Sequence, residues 1–380
     1  VEAVRRAAIR RRRGEADAAD DLRRRLHTLS AADAGELVRA FATLFQVVNL
    51  AEEVHRIRRL RERQVRGESP EIEGLQQAFE ELRAAGFDRQ GLQTLLDDVL
   101  IEPVFTAHPT EATRRTILEK QQRIIRALTD RLDPSMTPAE DRVALNVVRS
   151  EVASAWQTEE HPSLRPSVAD ELEHVLFYLT DIIYRIVPPF FEEVENALEQ
   201  VFGDDAEAVE LPTLLRFASW VGGDMDGNPN VDADTLRNAL HQQRTSILAR
   251  YRSEFTQLAR RLSQSTSRIG VDAAVTDRVA DYMERFPAAA GRIPPRNRNM
   301  PYRELCHLMS ARLQATVNDE ANGYATPDEF IDDLRAMADS LRNNRGEHAG
   351  MFSVQRLLRR AETFGFHLAT VDVRQDARVH

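Results

Sequence analysis

Three short stretches of the chain place groups capable of acid–base or anion chemistry just where an apolar run stops. In the first, Phe105-Thr106-Ala107-His108-Pro109-Thr110-Glu111, an imidazole follows a β-like run and precedes a helix expected over residues 111 to about 128. A helix N-terminus presents unpaired N–H groups and a partial positive charge, so this place favours an anion. Arg114 and Arg115 in the first turn oppose that dipole, which costs roughly 0.3–1 kcal/mol unless something negative binds there. The alternative is a buried structural histidine whose neighbouring arginines pair with local acids such as Glu111.

The second stretch, Gly222-Gly223-Asp224-Met225-Asp226-Gly227-Asn228-Pro229, follows the β-like residues 216–221. Its glycines let backbone approach a ligand or another chain segment closely. Asp224, Asp226 and Asn228 occupy the first, third and fifth positions of a calcium-binding loop, but Pro229 stands where glycine is needed and Thr235 where a bidentate glutamate is needed. A tight turn capped by Asx side chains is the other reading. In the third stretch, Arg374 ends the β-like residues 367–373, where a guanidinium suits bidentate capture of carboxylate or phosphate. A salt bridge to a neighbouring acid such as Asp372 is its bland counterpart.

The elements that must hold these groups are mostly helical. Residues 1–99 carry apolar residues three and four apart, as in Leu37, Phe41, Leu44 and Val48 and again Leu75, Phe79 and Leu82, and form a helical N-terminal region. The arginine run at residues 10–13 reads as a solvated helix face. Residues 100–380 contain the three β-like segments, each ending in a polar cluster and followed by helix. That is how an α/β barrel builds its active face. The fold class is therefore mainly α: a helical N-terminal region plus the first strands of a heavily decorated, incomplete TIM-like barrel. Closing it takes more chain after His380, and Val1 is not an initiator methionine, so a fragment is expected.

Composition removes other classes. Acidic residues number 61 against 51 basic ones, a net charge of −10 that argues against nucleic acid as the main partner. No apolar run approaches the ~20 residues of a membrane span. A single cysteine, Cys306, excludes an intramolecular disulfide framework and a multi-cysteine zinc site, and fits a cytoplasmic location. Lys120 is the one lysine, so there is no phosphate-loop lysine motif, and a Schiff base would have to form there.

Together, F-T-A-H-P-T-E-A-T-R-R-T, G-G-D-M-D-G-N-P-N-V and F-G-F-H-L-A-T-V-D-V-R-Q-D resemble the signatures of the phosphoenolpyruvate carboxylase family, in its order and at about its spacing. Weaker echoes are A-W-Q-T-E-E, L-R-P-S-V-A-D-E, M-P-Y-R-E-L and Y-A-T-P-D-E-F-I-D-D-L-R, so the resemblance runs over nearly the whole chain. It implies a Mg²⁺- or Mn²⁺-dependent carboxylation of phosphoenolpyruvate by bicarbonate, giving oxaloacetate and phosphate through carboxyphosphate and an enolate. It also implies a homotetramer under metabolite control.

On this resemblance His108 matches the essential histidine, a general acid/base, and Arg374 an arginine that binds substrate phosphate. Arg114 and Arg115 would shape the same anion site, and Gly222, Gly223, Asp224, Asp226 and Asn228 would form an active-face loop. Met225 departs from the pattern, standing where the family commonly has arginine, and residues 161–164 replace a more basic stretch. The family's metal carboxylates, catalytic lysine and glycine-rich loop belong to its second half, so no metal ligand is expected here and the fragment alone is expected to be inactive. The alternative function is a helical scaffold or regulatory paralogue that keeps the fold without the reaction.

Overall fold

Good helix formers dominate the chain, and in a computed structural model the protein is mainly α, with three two-residue strands among the described residues. The structure describes residues 1–67, 74–106, 114–159, 167–226 and 230–379. The chain divides into two units, one of Val1–Ser69 with Thr113–Leu164, the other of Pro70–Ala112 with Arg165–His380. Residues 1–99 are helical through most of their described length but are shared between the two.

In the first unit the Ala31–Val65 helix starts at Ser30, whose hydroxyl accepts from the Asp33 N–H. It packs on helices Arg115–Asp130 and Pro138–Trp156. The latter begins with a complete capping box, Thr137 and Glu140 each accepting from the other's backbone N–H, with proline at the first turn. Ile117, Ile124 and Ala127 are buried. Between them Lys120 is buried too, donating to Ser154 Oγ at 2.5 Å with Glu151 at 3.7 Å. The apolar stripe expected on the Ala31–Val65 helix buries Leu37, whereas Leu44 and Val48 face solvent together with Phe45.

The second unit holds a continuous apolar core in which Tyr251, Phe255, Phe330 and Phe364 are fully enclosed. One long helix there, Tyr184–Phe202, contains Pro188 and Pro189. Proline removes the N–H that would serve the carbonyl four residues earlier. The Tyr184 carbonyl freed by Pro188 instead accepts from Arg360 Nε at 2.8 Å.

All three β-like segments are strands, β1 (Val104–Phe105), β2 (Ala218–Ser219) and β3 (Thr370–Val371), shorter than the sequence runs. They form one parallel sheet in the order β1-β2-β3, with Val104 opposite Ala218 and Ala218 opposite Thr370. Central β2 is buried at both residues, as a strand flanked on both sides requires, and the Phe217 ring beside it stacks on Phe364 at 5.6 Å. Because the strands are parallel and in register, their C-terminal ends lie along one edge. No helix of the described residues is long and apolar enough to cross a membrane.

Candidate active site

The segments leaving β2 and β3 meet at that edge. Beyond β2 the chain turns tightly, with the Gly223 and Asp224 N–H groups both donating to the Trp220 carbonyl at 3.0 Å. It then resumes parallel pairing: Arg374 N–H donates to the Gly223 carbonyl at 2.9 Å and Met225 N–H to the Arg374 carbonyl at 2.8 Å, which sets Asp224 opposite Arg374.

Glycine is required at both turn positions. Gly222 has φ +87°, and a Cβ there would lie 2.7 Å from the Ala239 side chain. A Cβ on Gly223 would lie 2.3 Å from the Asp372 carbonyl oxygen. Of the two uses the sequence left open, close approach to another chain segment is therefore the one both glycines serve.

The Arg374 guanidinium lies over the Trp220 ring, 3.9 Å from its centroid, with Asp224 Oδ2 at 3.8 Å. Its acid is Asp224, across the sheet, rather than Asp372, its neighbour in sequence. At 3.8 Å the pair is electrostatic and not a hydrogen bond, the guanidinium makes no side-chain hydrogen bond among the described residues, and the side chain is 43% exposed. Stacking on the indole face fixes the plane of the fork while leaving its edge available to an oxyanion. Asp224 Oδ1 is buried without a hydrogen-bond partner among the described residues, an arrangement that calls for a donor or cation.

Farther along, Arg378 grips Asp376 through contacts of 2.6 and 3.1 Å, and these bonds hold the Asp376 carboxyl below the usual range. Asp226 is exposed at the end of the turn.

His108 and Asn228 lie outside the described residues, and so do residues 161–164. The last described residues before His108 are anchored at the same sheet edge, Trp220 N–H donating to the Phe105 carbonyl at 2.9 Å.

Arg114 and Arg115 belong to the other unit, at the start of the Arg115–Asp130 helix. Arg114 donates to Glu159 at 3.1 Å and Arg115 to Glu119 at 2.9 Å, one turn on. Both cations thus have carboxylate partners among the described residues, while Glu111 lies outside them. Lys120, the one Schiff-base candidate, is enclosed with Ser154 and Glu151 and is a structural ammonium. Cys306 is buried, which pushes its thiol up to about 12, and it packs in the core.

Sequence reasoning gave Trp220 no role. Its signal was available in an indole one residue past the strand and immediately before two glycines, but the stacking depends on β3 arriving alongside. Among the described residues no group of three or more His, Cys, Asp or Glu could hold a metal ion. The single orphaned oxygen of Asp224 does not by itself fit a divalent cation, which takes several oxygen ligands.

Comparison with known proteins agrees with the motifs. The whole chain, residues 1–380, matches the family model described as Phosphoenolpyruvate carboxylase. It is 48% identical to a phosphoenolpyruvate carboxylase of Xanthomonas euvesicatoria pv. vesicatoria, over all of this chain and 42% of that protein. The corresponding enzyme of Ralstonia nicotianae is 35% identical, with 39% of it covered, and that of Roseiflexus castenholzii 32% identical, with 42% covered. The chain thus spans well under half the length of these relatives.

Proposed function

Because the chain belongs to the phosphoenolpyruvate carboxylase family, we propose that it supplies part of the active face of an enzyme carboxylating phosphoenolpyruvate with bicarbonate. The observation that carries this reading is Arg374, part-exposed at the C-terminal edge of the sheet beside Trp220 and Asp224. In that role it receives the substrate phosphate as a bidentate oxyanion.

Bicarbonate oxygen attacks phosphorus, the bond from phosphorus to the enol oxygen breaks, and carboxyphosphate and the pyruvate enolate result. His108 holds the carboxyphosphate proton and assists its breakdown to CO₂ and phosphate, and the enolate carbon then attacks CO₂ to give oxaloacetate. The positive charge of Arg374 opposes the charge that builds on the phosphate oxygens during transfer. Arg114 and Arg115 serve as anion-binding groups that exchange Glu159 and Glu119 for a substrate oxyanion. The divalent cation, Mg²⁺ or Mn²⁺, supplies further stabilisation of the enolate and phosphate oxygens. Its ligands are proposed to lie outside residues 1–380.

The three strands are read as staves of an α/β barrel completed by further chain, with residues 1–99 as a helical N-terminal region and 100–380 as the decorated barrel portion. A cytoplasmic homotetramer under metabolite control belongs to the same proposal.

The test is oxaloacetate formation from phosphoenolpyruvate, bicarbonate and Mg²⁺ by the full-length polypeptide, with His108→Asn alongside. Activity in the parent and a loss of about 10²- to 10⁴-fold in the variant is the expected result. A folded, full-length parent without activity would sink the reading in favour of a non-catalytic paralogue.

A further inference from the structure

Away from the strand ends, the second unit has a cleft of about 500 Å³ whose lining includes Arg252, Arg285, Arg292, Ile293, Gln314 and Glu320. The three guanidiniums come from separate places in the sequence. Arg252 lies within the Ala233–Arg261 helix and Arg285 ends the Ala273–Arg285 helix, while Arg292 follows the short Pro287–Ala290 helix.

Elsewhere in this unit half-buried arginines are matched with acids: Arg250 with Asp181, Arg278 with Asp333, Arg356 with Glu192 and Arg360 with Glu254. In the cleft the matching fails. Arg285 reaches Asp281 at 3.2 Å and lies over the Tyr282 and Phe286 rings. Arg252 and Arg292 have no ion pair or side-chain hydrogen bond among the described residues, and Arg252 Nε is buried without a partner. The one carboxylate in the lining, Glu320, accepts from Asn318 Nδ2 at 2.7 Å and pairs with no arginine.

With Arg285 matched by Asp281, the two unpaired guanidiniums against Glu320 leave a local excess of about one positive charge inside a concavity, where its field is strengthened by low-dielectric walls. A buried donor left without an acceptor is a standing penalty that a bound acceptor relieves once the side chain turns toward it. The volume falls in the range of roughly 300–1,000 Å³ typical of small-molecule sites, and Ile293 gives the cleft an apolar wall.

We infer that this cleft is a second anion-binding site, which takes a small organic anion carrying at least two negative charges on phosphate or carboxylate groups. Arg252 and Arg292 supply the unpaired forks, Arg285 closes one side, and Gln314 offers a neutral polar contact. The inference does not depend on the carboxylase reading, since none of these residues lies at the sheet edge.

The experiment is titration calorimetry on the full-length polypeptide carrying Arg374→Gln, which weakens competing anion capture at the strand ends. Inorganic pyrophosphate and citrate are the two probes, at low ionic strength. One of them is expected to bind saturably, to lose at least about tenfold in affinity when Arg252→Gln and Arg292→Gln are added, and to bind more tightly with Glu320→Gln. Pyrophosphate binding alone assigns a phosphate ligand, citrate binding alone a polycarboxylate. The inference is overturned if neither probe binds, or if binding is indifferent to all three substitutions. An unchanged thermal midpoint in each variant separates loss of the site from loss of the fold.

Discussion

The two units solve the same problem, helix packing, with different materials. The second encloses large aromatic residues and also buries a polar network, in which the Asp333 carboxylate accepts from Tyr282 and Tyr324 hydroxyls at 2.7 Å and from Arg278 at 2.9 Å. That network sits beside a continuous apolar core. The first unit buries small and branched residues around one lysine and leaves Val38, Phe45 and Val143 more than half exposed. Its helices lean on caps and on surface ion pairs, which contribute only about 0–1 kcal/mol each. Core depth, and with it sensitivity to substitution, is therefore expected to be lopsided along the chain.

The largest break in that contrast would come at Asp333. Asp333→Ala leaves two buried hydroxyls without their acceptor and removes the ion pair of the half-buried Arg278, and is expected to destabilise the second unit by about 3–5 kcal/mol in urea unfolding. Phe330→Ala, next in size, removes a ring packed against Tyr251, Phe255 and Phe366 and should cost about 3–4 kcal/mol by the same measurement. If either proves neutral, the second unit is not the deeper core.

A pH effect sharpens the contrast further. Glu304 is buried with Oε1 unpartnered, and burial raises its carboxyl to about 7, against the pull of Arg298. The folded state therefore keeps a proton that the unfolded chain releases near its ordinary value of 4.5, so stability falls as pH rises between these values. Glu304→Gln should flatten that slope in thermal melts taken across the window, and an unaltered slope would assign it to another group. The smallest change belongs to the first unit, where Phe45→Ser should shift stability by no more than about 0.5 kcal/mol.

Much of the site's framework was legible locally. Short β-like runs ending in polar clusters marked all three strands, and the polar residues following β2 and β3 do meet. What could not be read is whatever depends on register between distant segments. Asp372 was the natural partner for Arg374 along the chain, but parallel pairing between distant segments sets Asp224 opposite Arg374 instead. The stripe on the Ala31–Val65 helix shows the converse: a 3.6-residue period announced a helix correctly without saying which of its apolar residues would be covered.

The close approach of Gly223 to Asp372 has a consequence for how the protein is made. β2 lies between partners that are far from it in sequence on both sides, so the ladder joining Asp224 to Arg374 closes only after the long helical segment between them has emerged from the ribosome. Until then Trp220 has no guanidinium to stack on and the turn at Gly222–Asp224 has no strand to rest against. The nascent chain thus carries half of this sheet edge for a large part of translation, and chaperone engagement during that interval is expected to centre on the unpaired side of β2.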